Sequence, residues 1–213
     1  MPVAFRLPRF YPILDTALLA TRKCPVLTAG RALVEAGVRI LQYRHKENWT
    51  QAQFDEVKEL AALCQDTGVL FVLNDRADFA RLLRTALHVG QDDLSPMAAR
   101  QVISDEVMGF STHNALQITR GEQEPVEYLS LGPIFATSTK LRPDPMVGVD
   151  GLRALRPLTT KPLVAIGGIA IENAAQVLEA KADSVAVISG LLPESCDRKS
   201  LARRAEEWMR LSG

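Results

Sequence analysis

Eight short apolar runs recur along this chain, separated by longer stretches with helical spacing, and that alternation restricts the folds open to it. The runs are residues 10–14, 38–43, 70–74, 87–90, 107–111, 128–131, 163–166 and 184–188. Most are continuous rather than alternating apolar and polar, the pattern of parallel strands buried on both faces. The intervening helices carry their own signals. Residues 50–67 place Phe54, Val57, Leu60, Ala61, Leu63 and Cys64 on one stripe, with Gly68 as a stop. Thr50 and Gln53 have the spacing of a capping box. Residues 76–86 carry Ala77, Ala80 and Leu83 at helical spacing, a series that Leu87 continues. Ser95-Pro96 opens another helix, serine as cap and proline in its first turn. Residues 171–180 and 198–211 complete the set, the last with Leu201, Ala205, Trp208 and Leu211 on one side.

Strand–helix alternation of this length predicts an α/β fold, a single (β/α)8 TIM barrel spanning residues 1–213 as one domain. The repeat averages roughly 27 residues, near the lower size of that fold. A doubly wound open sheet is the alternative, but its first turn is usually Gly-rich, and Leu14-Asp15-Thr16 has no glycine. No Pro/Gly/Ser-rich linker divides the chain. Residues 136–147, with Pro143 and Pro145, read as a loop whose length and position suit a lid.

The polar residues follow the strands. Run two ends in Gln42, Arg44, His45 and Lys46, run three in Asn74-Asp75-Arg76, and run four leads into Gln91-Asp92-Asp93. Run five ends in Ser111-Thr112-His113, and run six leads into Thr137-Ser138-Thr139-Lys140. In a barrel these ends converge on one rim, where catalytic residues gather. Arg44, Lys46 and Lys140 are cations suited to phosphate. Asp75 and Asp93 are hard oxygen donors on neighbouring strands, and together with the cations they suggest magnesium bridging a diphosphate. Gly167-Gly168 and Ser189-Gly190 follow runs seven and eight, where barrels often hold a phosphate on backbone N–H groups. Of the histidines, His88 lies within a strand and reads as structural. His45 should point away from its cationic neighbours. His113 could act as an acid–base, cap the next helix or line the pocket.

Charge and cysteine usage remove several classes. Lys plus Arg count 25 and Asp plus Glu count 25. A zero balance argues against a broad nucleic-acid surface and against a polybasic membrane binder. No apolar run approaches the roughly 20 residues that span a bilayer. The first ten residues, with Pro2, Arg6, Pro8 and Arg9, lack the continuous apolar core of a signal peptide. Cys24, Cys64 and Cys196 are scattered and form no CxxC pair, so neither a disulfide framework nor a zinc site is expected. A cytoplasmic location is the default expectation.

At these same residues the chain resembles the thiamine-phosphate synthase family. The stretches are Gln42 to Lys46, Leu73 to Arg76, His88 to Asp93, Ser111 to His113, Gly132 to Lys140, Ile166 to Ile169 and Val185 to Ser189. The Gly-Pro-Ile-Phe-Ala-Thr-Ser-Thr-Lys run is the most specific of them. The resemblance implies a (β/α)8 barrel that joins hydroxymethylpyrimidine diphosphate to thiazole phosphate, releasing diphosphate. It implies that Gln42, Arg44, Lys46, Asn74, Ser111 and Lys140 hold the pyrimidine diphosphate and that Asp75 and Asp93 bind Mg2+. Thr137, Ser138, Thr139, Gly168, Ile188 and Ser189 would receive the thiazole phosphate. The implied chemistry is dissociative, with Arg44, Lys46 and Lys140 stabilising the leaving diphosphate. The chain departs from the family pattern at His45, at Leu14-Asp15, at Thr85-Ala86 and at Gly190. The resemblance leaves room for a homo-oligomer. It also leaves room for a thiazole tautomerase that uses His113, and for a non-catalytic sensor of thiamine phosphates. A sugar-phosphate isomerase would need paired acid–base residues that the sequence does not display.

Overall fold

The eight apolar runs close into a barrel in the computed structural model, which describes residues 6–137 and 144–212. In chain order the elements are β1 (Phe10–Asp15), α1 (Thr16–Thr21), α2 (Val26–Glu35), β2 (Ile40–Arg44), α3 (Gln51–Thr67) and β3 (Leu70–Asn74). Next come α4 (Ala77–Leu83), β4 (Ala86–Val89), α5 (Pro96–Ile103), β5 (Met108–Thr112), α6 (Ala115–Glu122) and β6 (Tyr128–Leu131). The order ends with α7 (Gly148–Leu155), β7 (Leu163–Ile166), α8 (Ile171–Glu179), β8 (Ser184–Val187) and α9 (Arg198–Ser212). Every neighbouring pair of strands is parallel, and β8 closes on β1 through Phe10↔Val185 and Pro12↔Val187.

Strand side chains alternate, so the register decides which residues share the interior. Tyr11, Ile13, Ile40, Val72, Ala86, Tyr128, Val164 and Ala186 fill the inside of the barrel. A larger apolar layer lies between the strands and the helices. There Trp208 of α9 stacks on Phe10 of β1, ring centroids 5.6 Å apart and planes 2° from parallel. The Trp208 Nε1–H donates to the Gly190 carbonyl at 3.1 Å. The same register levels polar residues above the interior layer, pairing Asp15 with Arg44, Asn74 with His88 and Ser111 with Ser130.

Helix boundaries follow local chemistry. Thr50 and Gln53 form the expected capping box, the Thr50 N–H donating to Gln53 Oε1 at 3.2 Å, and Gly68 ends α3 at φ 71°. Ser95 caps α5 by accepting from the Ala98 N–H at 3.3 Å. Helix α4 is shorter than its spacing suggests. Arg84 turns left-handed at φ 53°, and Ala86, expected in the helix, begins β4 instead. Two helices, α1 and α2, join β1 to β2, with Pro25 at the start of α2. Among the described residues no helix is long and apolar enough to cross a membrane.

Candidate active site

A cavity of about 400 Å³ opens at the C-terminal ends of the strands. Of the residues singled out above, Gln42, Arg44, Lys46, Asn74, Asp75, Asp93, Ser111, Thr137 and Ile188 line it. Gly168 and Ser189 do not: the lining residue at the end of β7 is Gly167, and Ser189 is exposed in the short turn after β8. Ser138, Thr139 and Lys140 lie outside the described residues.

One wall carries the charges. Arg44 extends from the end of β2 and is ion-paired with Asp15 at the end of β1. Asp15 also caps α1, accepting from the Leu18 N–H at 2.9 Å. Lys46 reaches Asp75 Oδ2 at 2.5 Å, with half of its side chain exposed. Asp75 holds a left-handed backbone at φ 65°, a conformation that a non-glycine residue adopts at a cost. Its N–H donates to the His88 carbonyl at 2.8 Å, which carries the chain from β3 across to β4.

Asp75 and Asp93 stand close enough to share a hydrogen bond. Burial, helped by that bond, pushes the Asp75 carboxyl up to about 6 despite the pull of Lys46. Burial works on Asp93 as well. There the bond from Asp75 and the Gly90 N–H, 2.8 Å from Oδ2, outweigh it and hold Asp93 below the usual carboxylate range. Near pH 7 both carboxyls are therefore mostly ionised, two converging hard oxygen donors. That donor set fits a magnesium ion, which takes one or two carboxylates and fills its other positions with water and substrate phosphate. Among the described residues no group of three or more His, Cys, Asp or Glu forms a ready-made cage. Beside the pair, the Asn74 Nδ2 is buried with no hydrogen-bond partner among the described residues, a spare donor at the cavity wall.

The floor is polar and buried. Gln42 Nε2 donates to the Tyr11 hydroxyl at 2.9 Å, and the Tyr11 and Tyr128 hydroxyls are 2.8 Å apart. His88 Nδ1 is 3.1 Å from the Tyr128 hydroxyl, and His88 Nε2 is 2.9 Å from Ser111 Oγ. Burial pushes His88 down to about 4, so its ring is neutral near pH 7. His88 is thus a floor residue of the cavity as well as a strand residue. Tyr11 and Tyr128 escaped the sequence reading, and Asp15 was not singled out there as a site residue. A tyrosine in an apolar run reads as core until the register shows which face it takes.

The opposite wall is made by close backbone approach. Gly167 and Gly168 have φ of 100° and 62°. A Cβ on Gly168 would lie 2.5 Å from the Ala136 carbonyl oxygen, and one on Gly167 would lie 2.6 Å from Pro133 Cα. These glycines let the segment after β6 seat on β7, where the Ile134 N–H donates to Ile166 and the Phe135 N–H to Gly167, at 2.9 and 3.0 Å.

The remaining histidines are both held. His113 lines the cavity, with Nδ1 2.5 Å from the Gly132 carbonyl and Nε2 3.5 Å from Asp144. Asn114, not His113, caps α6, its Oδ1 accepting from the Gln117 N–H at 3.0 Å. His45 is buried away from the cavity, 2.7 Å from Thr16 Oγ1, with its ring edge-on to Trp49.

Comparison with known proteins gives this geometry a context. The family model described as thiamine monophosphate synthase matches residues 10–191. A thiamine-phosphate synthase of Koribacter versatilis (strain Ellin345) is 46% identical over 204 residues, covering 94% of this chain and 96% of the relative. One from Chloroflexus aurantiacus is 39% identical, covering 86% of this chain and 85% of its own length. Among solved structures, a thiamine phosphate pyrophosphorylase from Pyrococcus furiosus superposes with a TM-score of 0.83 at 26% identity, over 96% of this chain and 95% of that one. Matched from its first strand to beyond its last, and with relatives this similar over most of their length, the chain belongs to the thiamine monophosphate synthase family and is a transferase.

Proposed function

We propose that the protein joins hydroxymethylpyrimidine diphosphate to thiazole phosphate, giving thiamine phosphate and diphosphate. The observation that carries this reading is one cavity wall where Arg44, Lys46, Asn74 and the Asp75–Asp93 pair converge, above a buried polar floor. Such a wall suits a diphosphate, and such a floor suits a flat heteroaromatic ring.

The pyrimidine CH2–O bond breaks first and its electron pair leaves on diphosphate. The electron-rich aminopyrimidine ring stabilises the resulting cation, and the thiazole nitrogen donates its lone pair to form the new C–N bond. The protein needs no nucleophile for this. Arg44 and Lys46, with Lys140 from the segment after β6, bind the diphosphate and stabilise the charge that grows on it. Asp75 and Asp93 would hold magnesium, which when bound neutralises part of that charge. Asn74 supplies a further donor. Gln42 and Ser111 orient the pyrimidine, and the apolar lining residues Ile13, Val164, Ile166 and Ala186 help to keep water from the cation. Thr137, Ser138, Thr139, Gly168, Ile188 and Ser189 would receive the thiazole phosphate, with Thr137 and Ile188 in the cavity lining. Both ring nitrogens of His113 are engaged, which does not favour the tautomerase reading. The protein acts in the cytoplasm on these small molecules.

Incubation with both substrates and magnesium tests the proposal. Thiamine phosphate and diphosphate should appear together, and chelation of magnesium should suppress both. Binding of both substrates by folded protein with no product would replace the synthase reading with the sensor.

A further inference from the structure

Gln42, Tyr11, Tyr128, His88 and Ser111 form one unbroken hydrogen-bonded run from β2 across the barrel to β5. Its ends, Gln42 and Ser111, both line the cavity. The three middle members are 1%, 0% and 8% exposed. Each of the three has one proton to give and a lone pair to receive another, two hydroxyls and a neutral imidazole. A buried run of such groups has only two satisfied arrangements: every proton points one way, or every proton points the other. A reversal within it would set two protons, or two lone pairs, against each other at groups that are 8% exposed or less, with Tyr11 and His88 touching only the cavity floor.

The Gln42 end decides the direction. Gln42 Nε2 donates to the Tyr11 oxygen, so the Tyr11 proton goes to Tyr128 and the Tyr128 proton to His88 Nδ1. His88 then carries its proton on Nε2 and gives it to Ser111 Oγ. Ser130 Oγ also donates to Ser111 Oγ, at 3.3 Å. With its oxygen receiving twice, Ser111 is left with its own proton to give. The run is held in place from behind. The Tyr128 ring lies where a side chain on Gly109 would be, 2.1 Å from a Cβ at that position, and His88 stacks on it at 5.6 Å.

We infer that Tyr11, Tyr128 and His88 are positioning residues, a one-directional relay that makes Ser111 a donor and keeps the Gln42 carbonyl an acceptor toward the cavity. The relay selects a flat ligand with an acceptor at the Ser111 end and a donor at the Gln42 end, the pattern of an aminopyrimidine. The identity of that ligand rests on the function proposed above; the direction of the relay does not.

The test uses the full chain with 15N-labelled histidine. Three histidines are present, and His88→Gln assigns the resonances of His88 by their loss. The parent protein should show His88 protonated on Nε2 and bare on Nδ1. Tyr128→Phe keeps the ring and removes one link, so both tautomers of His88 should then appear. Tyr11→Phe should release the direction in the same way, and serves if Tyr128→Phe does not fold. Protonation of His88 on Nδ1 in the parent, or an unchanged tautomer in both folded variants, would overturn the relay. In the coupling assay either variant should raise KM for the pyrimidine diphosphate about tenfold, the size of one net hydrogen bond, with kcat and the KM for thiazole phosphate nearly unchanged. An equal rise in both KM values would overturn the selectivity. Absence of coupling in the parent would remove the proposed function and leave the tautomer result standing.

Discussion

Lys46 reaches the Asp75 carboxylate at 2.5 Å, so the end of β2 places a cation against the acid that follows β3. That contact ties the residues proposed to bind phosphate after one strand to those proposed to hold magnesium after the next. It also lets the buried face of Asp75 carry charge when Asp93 does.

Replacing either acid should remove function and spare the fold. Asp75→Asn and Asp93→Asn are each expected to lower kcat for coupling by about 100-fold or more, the scale of losing a main electrostatic contact to developing charge. Magnesium should raise the melting temperature of the parent in the presence of diphosphate and should not do so in either variant. Calorimetry with and without the ion checks this. A magnesium response surviving in both variants would move the metal elsewhere.

Two buried groups make opposing contributions to stability in mild acid. His88 is pushed down to about 4 in the fold, against about 6.5 in an unfolded chain. Below pH 6.5 the unfolded chain therefore takes up a proton that the folded one refuses, and stability falls until about pH 4. At pH 5 that loss is on the order of 2 kcal/mol. Asp75 is pushed up to about 6, so the folded chain keeps a proton that the unfolded one releases. Its contribution is present below pH 4 and is lost as pH rises through 6. Urea unfolding between pH 7 and pH 4.5 should show the balance directly. His88→Gln should flatten or reverse the acid loss, and Asp75→Asn should steepen it.

Gly168 has no room for a side chain. Its φ of 62° and a Cβ 2.5 Å from the Ala136 oxygen mean that Gly168→Ala strains the backbone and pushes the segment after β6 away. A loss of about 2 kcal/mol is expected from these effects together, read as a lower urea midpoint at unchanged slope. If that segment seats the thiazole phosphate, the KM for thiazole phosphate should rise while the KM for the pyrimidine diphosphate changes little.

Trp208 anchors the last helix. Its stack on Phe10 and its bond to Gly190 are both lost in Trp208→Ala. A loss of about 3–5 kcal/mol is expected for emptying so large a buried site. Trp208→Phe should recover much of it by keeping a ring against Phe10. Thermal unfolding of the three proteins distinguishes packing from the hydrogen bond.

The barrel was legible because its strands are continuous apolar runs. Residues 70–74, 128–131 and 163–166 stand as strands with the same limits in sequence and structure. Thr50 with Gln53, and Ser95 before Pro96, marked helix starts for the same local reasons that hold in the fold. Gln42, Arg44, Lys46, Asn74, Asp75, Asp93 and Ser111 were visible as polar residues placed just after apolar runs, and the structure brings them to one cavity. Tyr11 and Tyr128 were not visible. Their importance depends on two strands lying opposite each other across a closed sheet, and no spacing in the chain records that distance. Asp15 was noticed only as a departure from a family pattern; its pairing with Arg44 appears once β1 and β2 are set in register. The paired helices α1 and α2 were missed because α1 is only six residues long and Pro25 interrupts the pattern between them.

The stack of Phe10 on Trp208 has a consequence for how the protein comes into being. Phe10 is made early in translation and Trp208 late, and β1 waits for β8 as well. Until β8 and α9 have been made, the first strand has one bare edge and an outer face only partly covered. Contacts this distant along the chain close slowly and leave apolar surface open to aggregation meanwhile. The cavity draws on strands from both halves of the barrel, so the complete site requires a closed barrel.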